Sequence, residues 1–182
     1  MSFSIEELDE RSVLFSGELT RVSAGALIRA LQAKAIEWDV VHLHLHSEGG
    51  CMHSGLQLYD WIRAMNSSRT KIHTCAHGLV ASAALVAYLA GSTRYALRNS
   101  LFLVHDVKTR AAGEWVRCAE AADDARHARL LSRKVAAILR RRTLLTPQRV
   151  RRMMARECAF GARKAIARGV AHFYYSGSSV VQ

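Results

Sequence analysis

Residues Val40-Val41-His42-Leu43-His44-Leu45-His46 alternate with period two. Such a repeat puts every apolar side chain on one face of an extended strand, whereas on a helix it would scatter them around the axis. The stretch predicts a strand with Val41, Leu43 and Leu45 toward a core and three histidines on the other face. Immediately after it, Ser47-Glu48-Gly49-Gly50 is expected to turn the chain into a helix, along which Leu58, Ile62 and Met65 recur at i, i+4 and i+7. A strand, a glycine turn and a helix make one β-α unit.

The unit repeats along the chain. Arg11 to Ser16, ending at Gly17, suits a first strand, and Ser23 is expected to cap the helix carrying Leu27, Ile28 and Leu31. Asn66-Ser67-Ser68 closes the helix of the first unit, and Lys71 to Ala76 predicts the next strand. Short strands follow at Arg94 to Leu97 and Leu101 to Val104, the latter ending at His105. Strands alternating with helices imply an α/β fold with a mostly parallel sheet, whose functional groups collect at the carboxyl ends of its strands. Glu114 to Arg142, without glycine or proline, predicts one long helix; Thr146-Pro147 opens another as N-cap and N1, and Gly169 ends a third. Residues 173–182 are expected to be a tail, and residues 1–9 a short N-terminal segment of a single domain spanning 1–182.

Gly78-Leu79-Val80-Ala81-Ser82-Ala83-Ala84-Leu85 places one hydroxyl at the expected start of an apolar helix running to about Ala90. Two meanings fit the octapeptide alone. Small residues let a buried helix pack closely, and a serine at a helix start also meets free amides that favour a developing anion. Ser82, His105 and the Gly49-Gly50 turn all fall at strand ends, and together they supply most of an acyl-transfer site. The serine attacks, the histidine takes its proton, and amides near Gly50 and Ala83 hold the oxyanion.

Composition excludes several classes. Half of the 182 residues are hydrophobic and 23% are charged, which is neither a disordered nor a fibrous chain. The acidic start Met1 to Glu7 carries no basic, apolar leader, and Gly78 to Gly91 is too short to span a bilayer, so a cytoplasmic protein without a membrane partner is expected. Cys51, Cys75, Cys118 and Cys158 form no CxxC pair and read as reduced thiols. A net charge of +11 invites nucleic acid, but Arg140-Arg141-Arg142 and Arg149 to Arg152 lack interleaved aromatics. A solvated or subunit-facing basic surface is the expectation, and nucleic acid is not an expected partner.

Beyond these elements the chain resembles the proteolytic subunit of the ATP-dependent Clp protease, the ClpP family of serine peptidases, over roughly residues 10 to 172. The resemblance rests on Glu10-Arg11-Ser12-Val13-Leu14-Phe15-Ser16-Gly17, Leu43 to Gly50, Gly55-Leu56-Gln57-Leu58-Tyr59-Asp60, Gly78 to Ser82, Arg94 to Ser100 and Val104-His105. It implies the crotonase-like ββα spiral with a long handle helix from about Glu114, by which two rings stack. It also implies homo-oligomeric rings of seven, a peptide or unfolded-protein substrate, an ATP-dependent unfoldase as partner, and no cofactor or metal. By the same resemblance Ser82 is the nucleophile, His105 the general base, and Gly50 with Ala83 the oxyanion donors.

The chain departs from that family where it matters. The triad aspartate falls on Met153 within Met153-Met154-Ala155-Arg156-Glu157, and a thioether cannot stabilise an imidazolium; Glu157, Asp106, Asp123 and Asp124 are the other carboxylates to weigh. The proline before Gly-Gly is Glu48, and the loop after the histidine is Asp106-Val107-Lys108-Thr109-Arg110. These changes predict altered or absent gating by an unfoldase. Three rival readings follow: a catalytically weak or silent barrel subunit, a coenzyme A enzyme of the wider crotonase superfamily, and a metal site built from His42, His44 and His46.

Overall fold

The computed structural model describes residues 3–107 and 118–176, with side chains from 121 onward in the second stretch. The chain runs β1 (Phe3–Asp9), β2 (Ser12–Leu19), α1 (Arg21–Glu37), β3 (Val40–Gly50), α2 (Met52–Met65), β4 (Lys71–Ala81) and α3 (Ser82–Tyr88). It continues through β5 (Arg94–Ala96), β6 (Leu101–Val104), α4 (Cys118–Arg142), α5 (Pro147–Ala155), β7 (Cys158–Gly161), α6 (Ala162–Ala167) and β8 (Phe173–Tyr174). The strands lie in the order β1-β2-β3-β4-β5-β8, and β6 branches from β4 to pair with β7. Pairing is parallel from β2 to β8, and antiparallel at the β1–β2 hairpin and between β6 and β7.

The period-two stretch behaves as its pattern requires. Val41, Leu43 and Leu45 are fully buried, as are Leu27 and Leu31 of α1 and Leu58 and Ile62 of α2, which pack on that face. α3 is apolar all round because it lies at the centre of the molecule. Every residue from Ala83 to Ala90 is buried, and Gly55 lets α2 approach so closely that a β-carbon there would stand 2.6 Å from the carbonyl oxygen of Ala83.

Several expectations are corrected. Ser47 to Gly50 is not a turn; it prolongs β3, with Gly49 and Gly50 in positive-φ extended backbone. β4 runs five residues past Ala76, and the helix after it ends at Tyr88 rather than Ala90. The cap of α1 is Thr20, whose hydroxyl accepts from the Ser23 amide while Ser23 returns the bond from N3, a reciprocal capping box. β2 passes through Gly17 to Leu19. Residues 3–9 form β1, which pairs with β2 and brings Phe3 within 6.3 Å of Phe15, ring to ring. Phe173 and Tyr174 belong to β8 rather than to a tail. The long helix is described from Cys118 onward; Glu114 to Arg117 and 177–182 lie outside the described residues.

Part of the basic charge faces inward, against the expectation of a solvated surface. Arg94 is buried and donates to the carbonyls of Val170, Gly169 and Arg142; Arg142 in turn donates to those of Leu89 and Gly91. Two cations thereby tie the ends of α3, α4 and α6 together, satisfying carbonyls that helix termini leave open. Burial, and then the Arg142 charge, hold Arg94 down to about 10, still protonated at neutral pH.

Candidate active site

β4 places the serine by changing partners along its length. Thr74 to Ala76 pair with β5, whereas Leu79 to Ala81 pair with β6. Between the two halves the β3 ladder steps from Leu45 opposite Ala76 to Ser47 opposite Val80, so that β4 carries two extra residues. Gly78 permits this at φ +88, and the ring of His46 fills the space a side chain would need: a β-carbon there would stand 2.6 Å from its Nδ1, which accepts from the Leu79 amide. β3 bulges once itself, between the pairs Ser16–His46 and Glu18–Gly49. The two irregularities bring the glycine pair of β3 against the end of β4. A β-carbon on Gly49 would lie 2.7 Å from Cβ of Ser82 and 3.0 Å from the amide nitrogen of Ala83.

Ser82 itself has φ 54, a left-handed conformation that costs a non-glycine residue about 1–3 kcal/mol. A helix meant only to pack has no use for that cost, so the strain motivates the functional meaning of the octapeptide, although Glu157 at φ 47 shows the same conformation outside the cavity. Ala81 opposite Leu103 in the β4–β6 ladder brings the chain just beyond β6, with His105, alongside the serine. Ser82, His105 and Gly50 line one cavity of about 410 Å³, with Cys51 and His53 from the start of α2 and Asp124 and His127 from α4. A larger groove of about 730 Å³ between α2 and α4 is lined by no serine, cysteine or histidine.

The far nitrogen of His105 meets no carboxylate in the contacts of the described residues. Its Nδ1 lies 2.5 Å from the backbone carbonyl oxygen of Asp106. The Asp106 carboxylate turns away and accepts from the hydroxyl of Ser132 on α4 and from the Val107 amide at 2.9 Å. Met153 is buried among the apolar side chains of α5, and its neighbour Met154 accepts the Asp106 amide at 3.0 Å, so α5 braces the histidine loop through the main chain. Glu157 has φ 47 at the end of α5, and Asp123 pairs with Arg126 at 3.3 Å.

Sequence reasoning missed Cys51, His53 and His127. Partial burial would push the Cys51 thiol up, but the Ser54 and His53 groups at the start of α2 and the Arg21 charge more than offset it, and the thiol is lowered. His53 and His127 face each other with Nε2 atoms 3.1 Å apart and rings stacked at 5.1 Å. The trio His42, His44 and His46 does not assemble. His42 turns to His73 and His44 to His77 and Tyr175, while His46 packs on Gly78; among the described residues no three metal-ligating groups converge.

A family model described as Clp protease matches residues 3–173. Among curated proteins, the chain is 32% identical over 103 residues to ATP-dependent Clp protease proteolytic subunit 2 of Treponema pallidum, covering 54% of this chain and 50% of that one. It is 33% identical over 112 residues to the proteolytic subunit of Ligilactobacillus salivarius, covering 59% and 55%. These alignments span about half the length of the relatives; one with subunit 2 of Treponema denticola, at 24% identity, covers 90% of this chain and 80% of that protein. Among solved structures, a ClpP1 mutant from Listeria monocytogenes superposes with a TM-score of 0.80 over 93% of this chain and 94% of its own, at 20% identity. That likeness shows the ClpP fold. No helix among the described residues is long and apolar enough to cross a membrane.

Proposed function

Because the chain belongs to the Clp protease family, we propose that it is a serine peptidase subunit that cleaves peptides or unfolded proteins through an acyl-enzyme. The observation that carries this reading is the strained backbone of Ser82, held against Gly49 in a cavity shared with His105. Ser82 Oγ attacks the scissile carbonyl and gives its proton to Nε2 of His105. The Asp106 carbonyl accepts from Nδ1–H and thereby keeps Nε2 unprotonated and available as base. Amides of Gly50 and Ala83 receive the oxyanion. His105 returns the proton to the leaving amine, and water then releases the acyl group by the reverse path.

A carbonyl dipole fixes the tautomer but brings no full negative charge to the imidazolium. The site is therefore a working dyad of reduced rate, assembled in rings, with a Clp unfoldase as the class of partner. The test is a fluorophosphonate probe followed by mapping of the adduct. Labelling at Ser82 that is lost in His105→Ala is expected; an assembled sample that takes no label favours the second reading, a silent barrel subunit. Met153 at the position the resemblance gives to the triad acid, and the absence of a carboxylate at Nδ1 among the contacts of the described residues, are what favour that alternative.

A further inference from the structure

We infer that His53 and His127 form a binding site for a divalent transition ion of the zinc class, whose occupation closes the cavity in front of Ser82. The two imidazoles come from different helices, α2 and α4, and present Nε2 to Nε2 at 3.1 Å. Two nitrogens bound to one tetrahedral zinc at about 2.0–2.1 Å each stand about 3.3 Å apart, so the pair already has the separation that the ion imposes. Without an ion the same geometry is an N–H donating to a ring lone pair. Binding requires only that the donor imidazole move its proton to Nδ1, a change of tautomer without loss of a proton from the pair. Imidazole nitrogen is a ligand suited to zinc, copper and nickel rather than to magnesium or calcium.

Among the described residues no third metal-ligating group converges on the pair, and water is the ligand the proposal assigns to the positions they leave open. Asp124 stands one helical turn before His127 on the same face of α4 and lines the same cavity, as Cys51 does, and a water-bridged contact to either would extend the shell. Both histidines are exposed to the cavity, which gives the ion an entry path. An ion held there turns the contact that already joins α2 to α4 into a firm coordinate bridge in the wall of the cavity that Ser82 lines.

The existence of the site does not depend on Ser82 being nucleophilic; only its inhibitory consequence rests on that reading. Calorimetric titration with zinc chloride separates the two. The parent is expected to bind one ion per chain, and His53→Gln and His127→Gln, which keep size and hydrogen bonding, should each weaken binding at least about tenfold. His105→Ala and His44→Ala should retain it. Zinc should also slow fluorophosphonate labelling of Ser82 in the parent and leave labelling unchanged in the two glutamine variants. Equal affinity in parent and glutamine variants, or no heat up to millimolar zinc, overturns the site. Site-dependent binding with undisturbed labelling overturns its inhibitory role. Binding in a protein whose Ser82 never takes the probe supports the metal site and counts against the peptidase reading alone.

Discussion

Nδ1 of His105 lies 2.5 Å from the backbone oxygen of Asp106, the next residue along the chain, and the side chain of that aspartate points to Ser132 instead. On the proposed reading this carbonyl is the group that orients the imidazole, and no substitution of a side chain removes it. A carbonyl selects the same tautomer as a carboxylate but stabilises the imidazolium less, since it offers a partial charge in place of a full one.

If Met153 occupies the position of the triad acid, as the resemblance implies, Met153→Asp restores a carboxylate there. Peptide cleavage should rise at least about tenfold, a modest share of what a triad acid contributes elsewhere. Because Met153 is buried, the variant should also unfold at lower denaturant, by about 1–3 kcal/mol, unless the carboxylate finds the imidazole. Steady-state hydrolysis and urea midpoints measured together decide it: lost stability with no gain in rate means that the aspartate does not reach His105.

Cys51 should be the fast thiol of the described residues. It is exposed in the cavity and its thiol is lowered, whereas burial pushes Cys75 up to about 12. Iodoacetamide at neutral pH should modify Cys51 at least about tenfold faster than Cys75, because the thiolate is the reactive form. Peptide mapping over time checks this, and occupation of the cavity by the fluorophosphonate adduct should protect Cys51.

The histidine face makes stability depend on pH. Burial, and then the neighbouring His42 charge, hold both His44 and His73 down to about 4 from an ordinary 6.5. The unfolded chain takes up protons below about pH 6.5, while the folded one waits until near pH 4, so between these values the unfolded state binds more protons. Stability is complete above that window and falls as pH drops through it. Urea midpoints from about pH 7.5 to about pH 4.5 should decline, and His44→Phe should flatten the slope by removing one of the titrating groups. An unchanged slope would mean that His44 is protonated in the folded protein.

What the sequence disclosed and what it hid have physical reasons. The period-two run at Val40 to His46 survives because both faces of β3 are packed differently, and Thr146-Pro147 caps α5 as read because N-cap chemistry is local. The end of β4 was hidden because Gly78 to Ala81 are small residues equally at home in a helix start, and only pairing with β6 makes them a strand. The cap of α1 is ambiguous in sequence because Thr20 and Ser23 are both hydroxyl residues that share one reciprocal motif. β7 and β8 are too short to show a period. Ser82, His105 and Gly50, singled out by motif context, line one cavity, whereas His127 enters it from a polar helix face whose destination depends on how α4 docks.

That docking bears on assembly. Leu131, Val135, Ile138 and Leu139 bury the C-terminal half of α4 on its own domain, but Leu130 is 50% exposed, and residues 121–124 and Arg126, His127 and Arg129 are exposed as well. On the proposed reading, these exposed residues form the surface that a ring stacked through such handles would cover. Arg126, Arg129, Arg133 and Lys134 bring like charge to that surface, and of these Arg126 is offset by an ion pair with Asp123. Repulsion between two such helices is screened within about 10 Å at 0.1 M salt. Sedimentation velocity should thus show an oligomer whose larger form gains population as salt rises from about 0.05 M to about 0.5 M, and Arg129→Glu with Arg133→Glu should reverse that dependence by replacing repulsion with attraction to the remaining cations. A monomer at every salt concentration would remove ring assembly from the reading, and a double ring that weakens with salt would place attraction, not repulsion, across the handle.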